Sequence, residues 1–508
     1  MKETGNIRRI AKNTFLLYFR LIISMLVSLY TARVVLNTLG VIDYGIYNVV
    51  GGFVTMFGFL NGAMSSSTQR FLSFELGREN TSGLRKVFIM SINIHFIIAL
   101  VILLLAETVG MWFLDTQMTI IEGRKEAALW VYQFSILSLI LTIISVPYNA
   151  IIIAHERMGV YAWMTIIEVI LRLLIVFILV WYDFDKLKLY AVLFFIVSLV
   201  IRLIYGFYCK FNFKESKFYF YWNKPMFKTL IGFAGWNLWG SMAYLLRGQG
   251  VNVLLNIFFG PTVNAARGIA FQINNAINQF VSNFQMAVKP QIIKSYASDN
   301  ISLMNTLVFQ GAKYSFFLLF ILSLPLLFET EIILKLWLKI VPEYTVIFTR
   351  LVIVGTLIDC ISGTLMTAAQ ASGKIKIYQS IVGGLLVLNL PISYFFLKLG
   401  YEPQITLYIS IVIYILALIF RLIILRKLVN LRINVFLKQV LLRILYVTAL
   451  SVIIPSLLYY NMDSSIERFL LTCVVSVVSV LFAIYFSGLN NNERKFFSNY
   501  MMKFFKTR

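Results

Sequence analysis

What most constrains this chain is the recurrence of apolar stretches about 20 residues long, the length a helix needs to cross a ~30 Å hydrocarbon layer. Fourteen can be read, at 14–36, 43–65, 87–110, 128–153, 161–182, 190–209, 229–259, 265–288, 313–334, 346–371, 379–397, 405–425, 440–460 and 467–487. Segments of this length satisfy their backbone polar groups in lipid as helices, so the expected fold class is an all-α integral membrane protein with about 14 transmembrane helices. Composition agrees: 13% of the 508 residues are charged, against roughly 25% in an average soluble domain. The basic start through Arg9 has the charge of a secretory leader, but the apolar run after it is long, contains Arg20 and Arg33 and offers no small-residue cleavage site. It is therefore read as the first span.

The net charge of +23 would suggest nucleic acid in a soluble protein. Here the position of the charges decides. With the N-terminus inside, the inner segments hold 28 lysines and arginines and the outer ones 8. That asymmetry places both termini in the cytoplasm, favours an even number of spans and leaves no reason to invoke nucleic acid. Three widely separated cysteines and two lone histidines indicate neither a disulfide framework nor a metal site, and no cofactor is implied. No polar run is long enough for a soluble domain; the longest, about 24 residues, is Lys289 to Ala312. Function is therefore expected within the membrane.

The chain also repeats itself. At an offset of 220, Gly40 falls on Gly260 and Glu79-Asn80 on Asp299-Asn300; at 217, Ala154, Arg157 and Tyr161 fall on Ala371, Lys374 and Tyr378. An offset of six spans makes the halves parallel, one of the arrangements used by alternating-access transporters. The expected organisation is a six-helix bundle over 1–209, a cytoplasmic linker over 210–228, a second six-helix bundle over 229–425, two extra helices over 426–487 and a basic cytoplasmic tail over 488–508.

Span 2 carries Tyr44, Asn48, Gly51, Thr55, Gly58, Gly62 and Ser65 at alternating steps of four and three, which places them on one helical face. Small residues so spaced serve close helix packing, the main reading for span 2, with Asn48 kept as a cavity-lining residue. Span 8 carries Gln272, Asn274, Asn275, Asn278, Gln279, Asn283 and Gln285, too many amides for a lipid-facing helix, since each left unpaired costs about 1–3 kcal/mol. It is expected to line a hydrated cavity, with Gln272, Asn275, Asn278, Gln279 and Gln285 meeting a polar ligand.

Nine arginines fall inside or at the edges of spans. Arg421 and Arg443 are read at cytoplasmic boundaries, and Arg33, Arg267 and Arg350 near the outer one, where snorkelling explains them. Glu168 and Arg172 form a structural i,i+4 pair. Arg20, Arg202 and Arg247 have no acid within a turn, and Arg247 sits among Gly240, Gly248 and Gly250 in a long span, which suggests a break lined by a cation. Buried arginines need a reason, and arginine forks match phosphate. Arg247, Arg267, Arg20 and Arg202 are accordingly the candidate anion ligands. The acids Asp359 and Glu168, with His95, are candidates for ion coupling, though a lone His95 more simply packs.

The stretch Asn-x-Leu-Gly-x-x-x-Tyr-Gly-Ile-Tyr from Asn37 to Tyr47, Ala-His-Glu-Arg-Met-Gly at 154–159, Ala-Ser-Gly-Lys-Ile-Lys-x-Tyr-Gln at 371–379 and Asn-Leu-Pro-Ile-Ser-Tyr at 389–394 resemble Wzx-type polysaccharide flippases. These belong to the multidrug/oligosaccharidyl-lipid/polysaccharide exporter superfamily. The resemblance runs over essentially the whole chain. It implies two parallel six-helix bundles in a V around a central cavity, and passage of an undecaprenyl-pyrophosphate-linked oligosaccharide from the cytoplasmic to the periplasmic leaflet of a bacterial inner membrane. The partners it implies are that lipid-linked substrate, membrane lipids and a downstream polysaccharide polymerase. Related lipid II flippases keep arginines in spans 1, 2 and 8; Arg20 and Arg267 match the first and last, and span 2 has none.

Two rival readings stand beside this one. An ion-coupled drug exporter of the same superfamily would want acids in its cavity, where cations predominate. A membrane enzyme would want a catalytic carboxylate cluster in the loops, which the sequence does not show, so the protein is not expected to be an enzyme.

Overall fold

The computed structural model describes residues 2–116, 118, 120, 123–181, 184–217, 219–338, 340–491 and 493–495, and every regular element among them is helical. The last thirteen residues of the expected basic tail lie outside this set. Eleven helices are long and apolar enough to cross a membrane among the described residues. The expected spans 43–65, 229–259 and 265–288 are not among the eleven, because glycine, hydroxyl and amide side chains lower their hydropathy.

The chain divides into two compact units, Met1–Leu238 with Ile293–Asp299, and Trp239–Ile292 with Asn300–Arg508. The first unit therefore includes the expected linker and the start of the next helix. It opens with α1 (Lys2–Met56), which breaks at Gly40 (φ 77°), a conformation that favours glycine. Then follow α2 (Phe59–Gly77), α3 (Thr81–Leu105), α4 (Met111–Thr116), α5 (Lys125–Ala154), α6 (Met158–Trp181) and α7 (Lys186–Asn212). Helix α5 packs on α2, α3 and α7 around a core that includes Phe88, Tyr132, Ile151 and Leu179. Between α3 and α4 the helix widens into a π turn. The Tyr132 hydroxyl donates to the Ala106 carbonyl there at 2.7 Å, satisfying a group that the wider turn exposes.

Helices α8 (Lys224–Phe259) and α9 (Pro261–Ala297), 36 and 37 residues long, each have residues in both units. The second unit continues with α10 (Ile301–Phe328), α11 (Thr330–Leu338), α12 (Thr345–Asp359), α13 (Ser362–Ser372), α14 (Lys376–Val387), α15 (Asn389–Lys398), α16 (Ile405–Val429), α17 (Ile433–Phe436), α18 (Leu442–Asn461) and α19 (Ile466–Ala483). The long polar segment 289–312 is thus mostly helix. Helix α10 carries the C-terminal pair: Glu329, just past its end, accepts from Arg468 at 3.1 and 3.2 Å, while Lys313 donates to Glu493 at 2.7 Å.

The internal repeat is written in the backbone. Gly40 and Gly260 have φ of 77° and 78°, and Glu79 and Asp299 have φ of 55° and 56°. Asn80 then accepts from Gly83 N to cap α3, and Asn300 from Leu303 N to cap α10. The copies differ where the first breaks between Met56 and Phe59 and the second runs unbroken through α9. Within the first unit the ends of these related helices cross closely. A Cβ on Gly77 would lie 2.6 Å from the Lys294 carbonyl oxygen and 2.8 Å from Cβ of Ala297, the repeat equivalent of Gly77.

Candidate functional site

A recess enclosing about 590 Å³, its open mouth included, lies within the second unit. Four helices supply its lining at helical spacing: Tyr244, Arg247 and Val251 from α8; Arg267, Phe271, Asn274 and Asn278 from α9; Leu351, Gly355, Thr356 and Asp359 from α12; and Leu407, Ser410 and Tyr414 from α16. Steps of three and four keep the α8, α9 and α16 sets each on one face, and in α12 Thr356 widens the face by one residue beside Gly355.

Its electrostatics are set by two arginines. Arg247 is 5% exposed and its guanidinium lies 4.7 Å from the centroids of both Tyr244 and Tyr414. Arg267 is 8% exposed and lies 4.5 Å from the Phe271 ring. Each keeps a buried nitrogen without a hydrogen-bond partner, Nη1 of Arg247 and Nε of Arg267, and Asn274 keeps a buried Oδ1 in the same condition. An arginine at bilayer depth costs about 2.5–3.5 kcal/mol on insertion scales, and each ring contact offsets roughly 0.5–2 kcal/mol. A carboxylate partner would offset more.

The one acid in the lining, Asp359, is engaged elsewhere. Arg421 donates to it at 3.3 Å, and also to Ser362 Oγ at 2.5 Å and Tyr378 Oη at 3.2 Å. Arg421, read at a cytoplasmic boundary, is buried among protein groups, and the burial of Arg267 corrects its reading as a snorkelling residue. Arg350 is likewise bound to protein, donating to the Leu327 and Phe328 carbonyls at the end of α10. Glycine permits the close packing of the pocket wall: a Cβ on Gly355 would lie 3.2 Å from the Tyr414 ring.

The sequence candidates separate sharply. Arg247, Arg267, Asn278 and Asp359 converge on this recess, and Arg20 and Arg202 do not. They belong to the first unit, Arg20 over Tyr161 at 5.2 Å and Arg202 over Tyr148 at 4.0 Å. Asn48, also in the first unit, donates to the Tyr44 carbonyl of its own helix at 2.8 Å. Gln285 ties helices together, donating to Ser315 Oγ and the Cys360 carbonyl, both at 3.0 Å, and it fills the space a Cβ on Gly363 would need. Gln272, Asn275 and Gln279 are exposed on α9 and do not line the recess. In the first unit Glu168 pairs with Arg172 at 2.5 Å, and His95 is buried with Nδ1 on the Ser91 carbonyl at 2.6 Å and Nε2 without a hydrogen-bond partner. Tyr244, Asn274, Thr356, Ser410 and Tyr414 complete the site without having been singled out as ligands. Tyr244, one turn from Arg247, was findable; nothing local marks Tyr414.

A family model described as polysaccharide biosynthesis protein matches residues 10–295. No curated protein sequence matches the chain. Among solved structures the fold is similar to an outward-facing multidrug resistance transporter of the MATE family in the MOP superfamily (TM-score 0.72, 12% identity, covering 84% of this chain and 96% of that one). It is also similar to a MATE transporter in its straight conformation (0.68, 12%, 83% and 97%). A third similar structure is a MOP superfamily transporter from Pyrococcus furiosus (0.67, 12%, 83% and 96%), described as having a binding pocket of reverse polarity that suggests a different function.

Proposed function

The chain belongs to the polysaccharide biosynthesis protein family, and on that ground we propose that this multi-pass transporter of the MOP superfamily is a lipid-linked oligosaccharide flippase. It carries an undecaprenyl-pyrophosphate-linked glycan from the cytoplasmic to the periplasmic leaflet of the inner membrane, by alternating access, with both termini in the cytoplasm. The observation that carries the reading is the pair Arg247 and Arg267, buried in one recess with unpartnered nitrogens, while the only lining acid is held by Arg421.

A diphosphate presents several charged oxygens, pairs of which planar guanidinium forks meet with two hydrogen bonds. Asn274 and Asn278 beside them offer amides to the first sugar, and the lipid tail remains in the hydrocarbon. A cationic drug would meet the opposite field: two buried positive charges and a carboxylate already paired.

The test is genetic. Arg247→Ala and Arg267→Ala, singly and together, are expected to abolish surface polysaccharide at unchanged protein level in the membrane. Normal polysaccharide in the double variant overturns the charge assignment, and drug resistance conferred without any effect on glycan favours the exporter reading.

A further inference from the structure

Residues 210–228 join α7 to α8 and hold an unusual mixture: Lys210, Lys214, Lys217, Lys224 and Lys228 against the single acid Glu215, interleaved with Phe211, Phe213, Tyr219, Phe220, Tyr221 and Trp222. Phe213, Ser216, Tyr219 and Tyr221 of this strap contact the rest of the first unit. Phe213 is buried with the His155 ring stacked on it at 4.5 Å. Ser216 Oγ donates to the Cys209 carbonyl at 2.7 Å, and Asn93 Nδ2 to the Tyr221 carbonyl at 2.8 Å. Arg85 covers the Tyr219 ring at 4.2 Å.

What these contacts leave outside is apolar and cationic. Phe211 and Phe220 are 81% and 83% exposed, and Trp222 is 47% exposed. All five lysines are exposed, and none enters an ion pair among the described residues. The single acid does not neutralise them, because Glu215 faces His155 at 2.6 Å. Large exposed aromatic rings are unfavourable in water but suit the bilayer interface, where rings sit at headgroup depth and lysine stems snorkel outward. Helix α7, ending at Asn212, is 27 residues long and apolar enough to cross a bilayer; about 20 residues suffice for the crossing, so on the membrane reading Phe211 falls near the end of the span.

We propose that residues 210–228 form a docking strap for anionic phospholipid, with Phe211, Phe220 and Trp222 seated in the headgroup layer and the five lysines on its phosphates, fixing the first unit to the leaflet on that side. The strap rests on the membrane reading and is independent of what the transporter carries. Its five lysines against one engaged acid complement a negatively charged surface.

The test uses the full chain in lipid nanodiscs. Phe220→Cys is labelled with a fluorophore in a Cys473→Ser background, Cys209 and Cys360 being buried. Quenching by a water-soluble collider is compared in discs of phosphatidylcholine alone and of phosphatidylcholine mixed with phosphatidylglycerol. The expected result is at least about a fivefold fall in quenching when phosphatidylglycerol is present, abolished when all five lysines become glutamine. Native mass spectrometry of the unlabelled chain should show fewer retained phosphatidylglycerol molecules in that same Lys→Gln variant. Equal quenching in both lipids, or equal lipid retention by both chains, overturns the proposal, as does nuclease-sensitive nucleic acid bound through the lysines. Loss of export in the arginine variants with an unchanged label depth would leave the strap intact, so the two readings fail separately.

Discussion

Arg421 donates to Asp359 across 3.3 Å, so the single lining carboxylate is shared between Arg421 and the recess that holds Arg247 and Arg267. The field of the recess is therefore modulated by a residue, Arg421, that does not line it. Asp359 side-chain exposure is 32%, so the pair is part screened. Asp359→Asn should lower stability by only about 1–3 kcal/mol, because Ser362 and Tyr378 still hold Arg421. It should also tighten diphosphate binding by up to roughly tenfold, since the attraction competing with the ligand is gone. Thermal unfolding in detergent and a binding isotherm check the two halves, and unchanged binding would mean that Asp359 does not shape the field of the recess.

The Arg468 to Glu329 pair joins α19 to the end of α10 out of reach of solvent. Removing one partner strands a buried charge, so Arg468→Met should cost about 3–5 kcal/mol, while Glu329→Gln combined with Arg468→Met should recover most of it. A double-mutant cycle on melting temperature reads this directly; additive single effects would exclude coupling.

Crossing of the repeat-related helix ends depends on a missing methyl group. Gly77→Ala places a Cβ against the Lys294 backbone, which cannot rotate away, so a loss of about 1–3 kcal/mol is expected. Gly232→Ala, whose Cβ would meet nothing within 4 Å, should be neutral or stabilise by about 0.5–1 kcal/mol.

Glu215 supplies a pH dependence. Burial is the largest influence and raises its pKa, but the hydrogen bond and charge of His155 together with a backbone N–H bond outweigh it and leave the group below the ordinary 4.5. A depressed carboxylate stabilises the fold above the unfolded value and loses that contribution as pH falls through the folded one. Wild-type protein should therefore lose stability below pH 4.5 through this group, at most about 1 kcal/mol, and Glu215→Gln should lack that part of the acid limb in a thermal-shift series.

The helical membrane fold and its duplication were legible because both rest on local chemistry: apolar length, and the glycine or asparagine that a positive φ or a helix cap requires, as at Gly40, Gly260, Asn80 and Asn300. Arg247 was legible through its glycine-rich, acid-free surroundings. The partner of Asp359 was not, since Arg421 lies 62 residues away and only packing of α12 against α16 brings them together. For the same reason the amides of α9 could be recognised as polar but not sorted, because one helical step separates Asn274 in the recess from Asn275 outside it. Arg20 and Arg202 share with Arg247 the absence of an acid within a turn and belong to the other unit.

The central claim, that Arg247 and Arg267 hold a diphosphate, is tested most directly by titrating purified protein with farnesyl diphosphate, a short soluble mimic of the lipid pyrophosphate. Saturable binding is expected, weakened by added salt and by about 10- to 100-fold in the Arg247→Ala, Arg267→Ala variant, with the melting temperature little changed. Equal affinity in wild type and double variant would contradict the account.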